Sequence, residues 1–171
     1  MYGYEIIAPP PRDILLGEKL PAAQWSEYRE LKRGMDHTVT GDVRILSELY
    51  SPQLHNRREI LVYLPPSYAL GDRCYPVLYM QDGQNLFDAS TSFAGEWGVD
   101  ETLDALSQEG IEAIVVGIPN LGSERMKEYS PFVDRRHGGG LGDLYVDFIA
   151  DTLKPVIDST FRTRSARTHT G

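Results

Sequence analysis

From Val43 onward the chain alternates short apolar runs with polar breaks. VRILSELY (43–50) and REILVYLP (58–65) are rich in β-branched and aromatic residues, and they flank SPQLHNR, a stretch of turn-forming side chains. Two such runs joined by a short connection predict an antiparallel strand pair. A loop with Pro65, Pro66, Gly71 and Pro76 then leads into PVLYM (76–80), whose uniform apolarity predicts a strand buried on both faces, as in the parallel part of a sheet. Val99, Leu103 and Leu106 recur at steps of four and three before Gly110, so a helix is expected from about Trp97 to Glu109. IEAIVVGIPN (111–120) is again strand-like, which gives strand, helix, strand and hence a right-handed parallel crossover. A long loop is expected over 121–140. A second helix follows, with Leu141, Leu144, Tyr145, Phe148, Ile149, Leu153 and Val156 on one stripe, and Pro155 is expected to kink or shorten its last turn. FRTRSARTHTG leaves that helix toward a further strand.

Ahead of Val43 the pattern is weaker. Pro9, Pro10, Pro11 and Pro21 interrupt it, and Trp25, Tyr28 and Leu31 have helix-like spacing. Residues 1–36 therefore read as an extended arm packed on a body formed by 37–171. No repeat, low-complexity tract or domain linker breaks that body.

Composition narrows the classes of function. A chain of 171 residues fits one domain with a real core. The 17 Lys and Arg against 25 Asp and Glu leave a net charge of −8, which repels phosphate backbones and anionic lipid heads. Nucleic acid and membrane surfaces are thus not expected partners. The single cysteine, Cys74, cannot close an internal disulfide or build a Cys-based zinc site, and it reads as a packing residue. No apolar run reaches a membrane span, and MYGYEIIAPPPRD lacks a leader's basic and apolar regions. A cytoplasmic location is expected, with secretion after leader removal left open.

Strand pairs followed by alternating strands and helices occur in many α/β folds. The residues are more specific. VYLPPSY (62–68), YPVLYMQDGQNLFD (75–88), ERMKEYSP (124–131) and YVDFIADTLKPVIDSTFRT (145–163) resemble, in this order and spacing, the putative-esterase family of α/β-hydrolases. That group contains enterochelin-esterase-like and feruloyl-esterase-like enzymes. The resemblance covers about residues 43–171 and implies an α/β-hydrolase fold: an antiparallel pair leading into a mainly parallel sheet with flanking helices. It also implies a serine esterase that works through an acyl-enzyme, without a cofactor or metal, on a small-molecule or carbohydrate-linked ester. Acyl transfer on the same fold, and a non-catalytic binding protein built on a degenerate hydrolase, are the alternatives. In the family, the segment matching RTHTG continues into a G-x-S-x-G elbow, with the acid and histidine later. No G-x-S-x-G occurs in these residues, and Gly122-Ser123-Glu124-Arg125 lacks the second glycine. The expectation is an N-terminal half, inactive by itself, with the nucleophile, acid and base beyond Gly171.

By the same resemblance, Asp82-Gly83 occupies the place of a His-Gly pair in relatives. The backbone N–H of Gln84 is then the first candidate for an oxyanion donor, with Gly83 or Asn85 as alternatives. Glycine there would permit close backbone approach. The plain reading is an Asx-rich turn. Asp82 and Asp88 read as loop braces rather than as paired catalytic carboxylates or metal ligands. Arg125, Glu128 and Tyr129 follow a strand end, at the sheet edge where ligands bind, and bracing that loop is expected ahead of substrate contact. His137-Gly138-Gly139-Gly140 fits neither G-x-G-x-x-G nor a P-loop and reads as a loop. His169 precedes the expected nucleophile strand and so reads as a strand-edge residue. His37 and His55 receive no role.

Overall fold

In the computed structural model, residues 24–32, 36–136 and 138–164 are described, and they form a five-stranded mixed sheet between two helical layers. A two-residue strand β1 (Ser26–Glu27) runs into the single-turn helix α1 (Tyr28–Leu31). The expected antiparallel pair is present as β2 (Asp42–Ser51) and β3 (Asn56–Leu64), with β1 on the outer side of β2. A register shift between Leu46 and Leu49 marks a bulge that bends β2. β4 (Val77–Gln81), helix α2 (Val99–Ser107) and β5 (Ile114–Ile118) make the strand–helix–strand unit. β5 lies parallel to β4 and antiparallel to β3, so the order is β1-β2-β3-β5-β4.

Period-two alternation divides the apolar residues between two cores. From β3 and β5, Ile60, Val62, Leu64, Ile114, Val116 and Ile118 face the helical stripe of Tyr145, Phe148, Leu153, Val156 and Ile157. On the opposite face Val43, Ile45, Leu61, Tyr63 and Val115 meet Tyr28, Leu86 and Phe87, with Val99 and Leu103 of α2 against them. Part of the expected N-terminal arm is thus core: Tyr28 is 2% exposed. Residues 1–23 and 33–35 of it lie outside the described residues.

Three expectations need correction. PVLYM was expected to be buried on both faces, yet Leu78 is 46% exposed and no residue of β4 is fully buried. Among the described residues the strand buried throughout is β5, which has a neighbouring strand on each side where β4 has one. The expected loop over 121–140 contains a 3₁₀ turn (Gly122–Glu124), helix α3 (Arg125–Tyr129) and a small hairpin of β6 (Val133–Asp134) and β7 (Gly138–Gly139). The second helix changes form as it reaches Pro155: α4 (Gly142–Asp147) passes through a π-helical stretch (Phe148–Leu153) into α5 (Lys154–Thr160), and Pro155 sits in the first turn of α5. Cys74 is exposed rather than packed.

The turn away from α5 matches the expected approach to another strand. Thr163 bridges Tyr75 in parallel sense, the Tyr75 N–H bonds the Arg162 carbonyl at 2.9 Å, and the Arg164 N–H bonds the Tyr75 carbonyl at 2.8 Å. Residues 162–164 therefore lie beside the entrance of β4. Among the described residues, no helix is long and apolar enough to cross a membrane.

Candidate active site

The stretch that ends β4 makes its turn through a conformation few side chains adopt. Asp82 has φ 54° and ψ 43°, and Gly83–Asn85 then form one 3₁₀ turn. Asp can occupy this left-handed region because its short polar side chain finds local partners. Here the partners come from elsewhere in the chain. Arg125 donates to both carboxylate oxygens of Asp82, Nε to Oδ1 at 2.9 Å and a terminal nitrogen to Oδ2 at 2.8 Å. Asn120 Nδ2 donates to Oδ1 at 2.7 Å, and the Tyr129 hydroxyl donates to the same oxygen at 3.3 Å while accepting from the Asp82 N–H. The Arg125 guanidinium, with help from Asn120 and Tyr129, holds the Asp82 carboxyl below its usual range although burial opposes this. Asp82 is thus a locked anion that clamps the turn to the loops after β5.

The helix that carries Arg125 and Tyr129 is itself fastened. Glu128, 1% exposed, accepts two bonds from Arg58 of β3, at 2.6 and 3.1 Å, and one from Asn56 at 2.9 Å. Arg58 lies 5.0 Å from the Phe148 ring centre and 5.5 Å from that of Tyr145. This buried pair anchors α3 to the sheet, and α3 presents Arg125 and Tyr129 to Asp82. Asp82, Arg125, Glu128 and Tyr129 are thus joined, directly or through α3, into one set of contacts between the turn, the loop after β5 and β3.

Within the turn the three candidate donors separate. The Asn85 N–H bonds the Asp82 carbonyl at 2.9 Å, the first hydrogen bond of the turn. The N–H groups of Gly83 and Gln84 precede that bond, so they stand outside the turn's own ladder, as at any helix start. Asn85 is committed throughout: its Oδ1 accepts from the Phe93 N–H at 3.0 Å, and its carbonyl from the Trp97 N–H at 2.8 Å. The Gln84 side chain bonds the Asn120 N–H at 3.1 Å through Oε1, leaving its backbone N–H as the distinctive donor.

Gly83 has a structural reason of its own. A Cβ there would lie 2.6 Å from the Gly117 carbonyl carbon, 2.6 Å from the Ile118 nitrogen and 2.8 Å from Pro119 Cδ. The turn is pressed onto β5, and Gly117 answers it: a Cβ on that residue would come within 3.0 Å of Leu86 and 3.4 Å of the Gly83 Cα. The close approach expected at Gly83 is therefore an approach to the neighbouring strand. A lone glycine inside the β-branched run IVVGI was the sequence signal for it.

Asp88 does not pair with Asp82. It is 1% exposed and accepts from Tyr28 Oη at 2.9 Å, His37 Nδ1 at 2.6 Å and the Ser90 N–H at 2.9 Å. His37 also faces the Lys32 carbonyl through Nε2 at 2.6 Å. Two acceptors on two ring nitrogens favour the imidazolium, and these bonds raise the His37 pKa above its ordinary value. Burial pushes the Asp88 carboxyl up, but the bonds from Ser90, His37 and Tyr28 outweigh it, and the net shift is downward. His37 thus ties the segment before β2 to the loop after the turn. Only its chain neighbours were visible in the sequence, and nothing there linked it to Asp88. His55 sits at φ 52° between β2 and β3, and Ser123 is exposed on the 3₁₀ turn that connects β5 to α3. His137 and His169 lie outside the described residues. A cleft of about 250 Å³ at the β1–β2 edge, lined by Tyr28, Val39, Gly41 and Arg44 among others, includes no residue of the Asp82–Asn85 turn.

Residues 51–171 match the profile of the family described as "Putative esterase". The chain is similar to an "Uncharacterized protein YbbA" of Bacillus subtilis, with 29% identity over 111 residues, which are 61% of this chain and 40% of that one. Among solved structures it is similar to an IroE-like serine hydrolase from Shewanella oneidensis, at 29% identity and a TM-score of 0.54 over 68% of this chain and 38% of that one. It also shares its fold with the BES protein of Bacillus cereus, at 22% identity and a TM-score of 0.56 over 76% of this chain and 50% of that one. The chain thus spans half or less of the length of these relatives.

Proposed function

Because this chain belongs to the Putative esterase family and has an α/β-hydrolase sheet, we propose that it supplies the oxyanion side of a serine esterase acting through an acyl-enzyme. The observation that carries the reading is the turn at the end of β4. It presents the N–H of Gln84, outside the turn's own hydrogen bonds, on a backbone held by Asp82, Arg125 and β5. Acyl transfer places negative charge on the former carbonyl oxygen, and a preorganised N–H stabilises that charge without reorganising during the reaction. The second donor in such a site is the amide after the nucleophile. In this reading the serine, acid and histidine lie outside residues 1–171, and the nucleophile's strand runs beside β4, where residues 162–164 already pair with Tyr75.

The substrate in this reading is a small-molecule or carbohydrate-linked ester. Phe93 and Trp97 support an apolar or aromatic portion: both are exposed, at 93% and 53%, and their N–H groups are fastened to Asn85 of the turn. The test uses the protein encoded by the whole gene. Hydrolysis of a small activated ester should disappear when the serine of a G-x-S-x-G motif after Gly171 is changed to alanine. In a phosphonate adduct of that serine, the phosphoryl oxygen should lie about 2.7–3.1 Å from the Gln84 nitrogen. An adduct whose oxygen faces no amide of residues 83–85 overturns the reading.

A further inference from the structure

Three carboxylates meet at the start of α2. Glu96, Asp100 and Glu101 each offer an oxygen, and these oxygens lie within 4.8 Å of one another. Two of the three acids are held from behind. Asp100, 0% exposed, accepts the Thr40 N–H at 2.7 Å and the Thr40 hydroxyl at 3.3 Å, both through Oδ2. Glu96 accepts the Thr38 hydroxyl at 2.7 Å through Oε2. Their other oxygens, Asp100 Oδ1 and Glu96 Oε1, are buried and have no donor. Among the described residues no Lys, Arg or His forms an ion pair with any of the three.

An unpaired buried carboxylate oxygen is costly, and buried charges are ordinarily paired or bound to metal. The first turn of α2 favours Asp100 and Glu101 through the helix dipole, but that field donates no hydrogen bond to the two orphan oxygens and does not reach back to Glu96.

We propose that Glu96, Asp100 and Glu101 bind a hard divalent cation of the calcium class. The donors are all carboxylate oxygens, which suit calcium or magnesium and not the softer transition metals. Calcium fits better, because two of the acids are fixed by the Thr38–Thr40 segment and the third is on the surface. That set tolerates mixed mono- and bidentate ligation, with water completing the shell on the exposed Glu101 side. The ion ties the loop after the turn to the start of α2 and, through Thr38 and Thr40, to the segment that leads into β2.

The test is thermal unfolding of the full chain at pH 7.5 in calcium chloride, in magnesium chloride and after chelation, at matched ionic strength, together with terbium luminescence. Calcium at about 100 times its dissociation constant should raise Tm by roughly 5–10 °C. Terbium emission should appear and be displaced by calcium. Glu101→Gln, on the surface, keeps the fold and should weaken terbium binding at least tenfold, and Asp100→Asn should abolish it. No calcium-dependent shift and no terbium signal in the wild-type protein overturn the site. So does a chelated Asp100→Asn protein that is more stable than wild type while wild type ignores calcium, since a shared proton then accounts for the cluster.

Discussion

Replacing Gly83 by alanine isolates what the turn after β4 depends on. Gly83 has no positive φ to preserve, so the cost is steric alone. The new methyl would sit 2.6 Å from two backbone atoms of β5 and 2.8 Å from the Pro119 ring, about 0.8 Å inside ordinary contact for the closest pair. None of these is the free end of a flexible side chain. β5 cannot retreat, because Ile114, Val115, Val116 and Ile118 are all 0% exposed between two strands and two helical layers. Overpacking of this kind costs about 1–3 kcal/mol, and a rigid backbone on one side puts Gly83→Ala at the upper end, about 3 kcal/mol. For a chain of this size that corresponds to roughly 6–12 °C in Tm. Gly71→Ala is the control: Gly71 is extended at φ 179°, a Cβ there meets nothing within 4 Å, and the change should stay within about 0.5 kcal/mol. Both proteins are compared with wild type by thermal unfolding followed by circular dichroism. A Gly83→Ala protein that melts within a degree of Gly71→Ala would refute the strand-approach account, and glycine would then be there for what lies on the other side of the turn.

Other perturbations follow the same contacts. Glu128→Gln leaves Arg58 buried without its counter-charge and should cost about 3–5 kcal/mol in urea unfolding, far more than an exposed pair such as Lys127 with Glu124. The His37–Asp88 pair should give pH-dependent stability. The raised His37 pKa contributes below its unfolded value of about 6.5 and is lost as pH rises through the folded value, whereas the depressed Asp88 pKa contributes above about 4 and is lost as pH falls. The stability difference between wild type and His37→Gln should therefore be largest near pH 5–6 and shrink toward pH 9; a difference that grows with pH contradicts the imidazolium. In the protein encoded by the whole gene, Gln84→Ala should keep ester turnover within a few-fold, and Gln84→Pro, which removes the N–H, should lower kcat about 10²-fold or more. Equal losses in both variants would move the role to the side chain and its bond to Asn120.

Legible along the chain is whatever depends on near neighbours in it. The β2–β3 pair follows from two alternating runs around a turn. α2 follows from Val99, Leu103 and Leu106, and the family was legible in four ordered motifs. An apolar run looks the same in a strand with one neighbour as in a strand with two, and only the order β3-β5-β4 gives β5 its two neighbours among the described residues. The 121–140 stretch reads as a loop because its short helix, RMKEY, carries no apolar period. What orders it is Glu128 meeting Arg58, 70 residues away in the chain. The clamp of Arg125 on Asp82, the bond of His37 to Asp88 and the facing glycines 83 and 117 are of the same kind. Each joins residues that sheet pairing brings together, and a side chain's local preferences carry no information about a partner that only the closed sheet supplies.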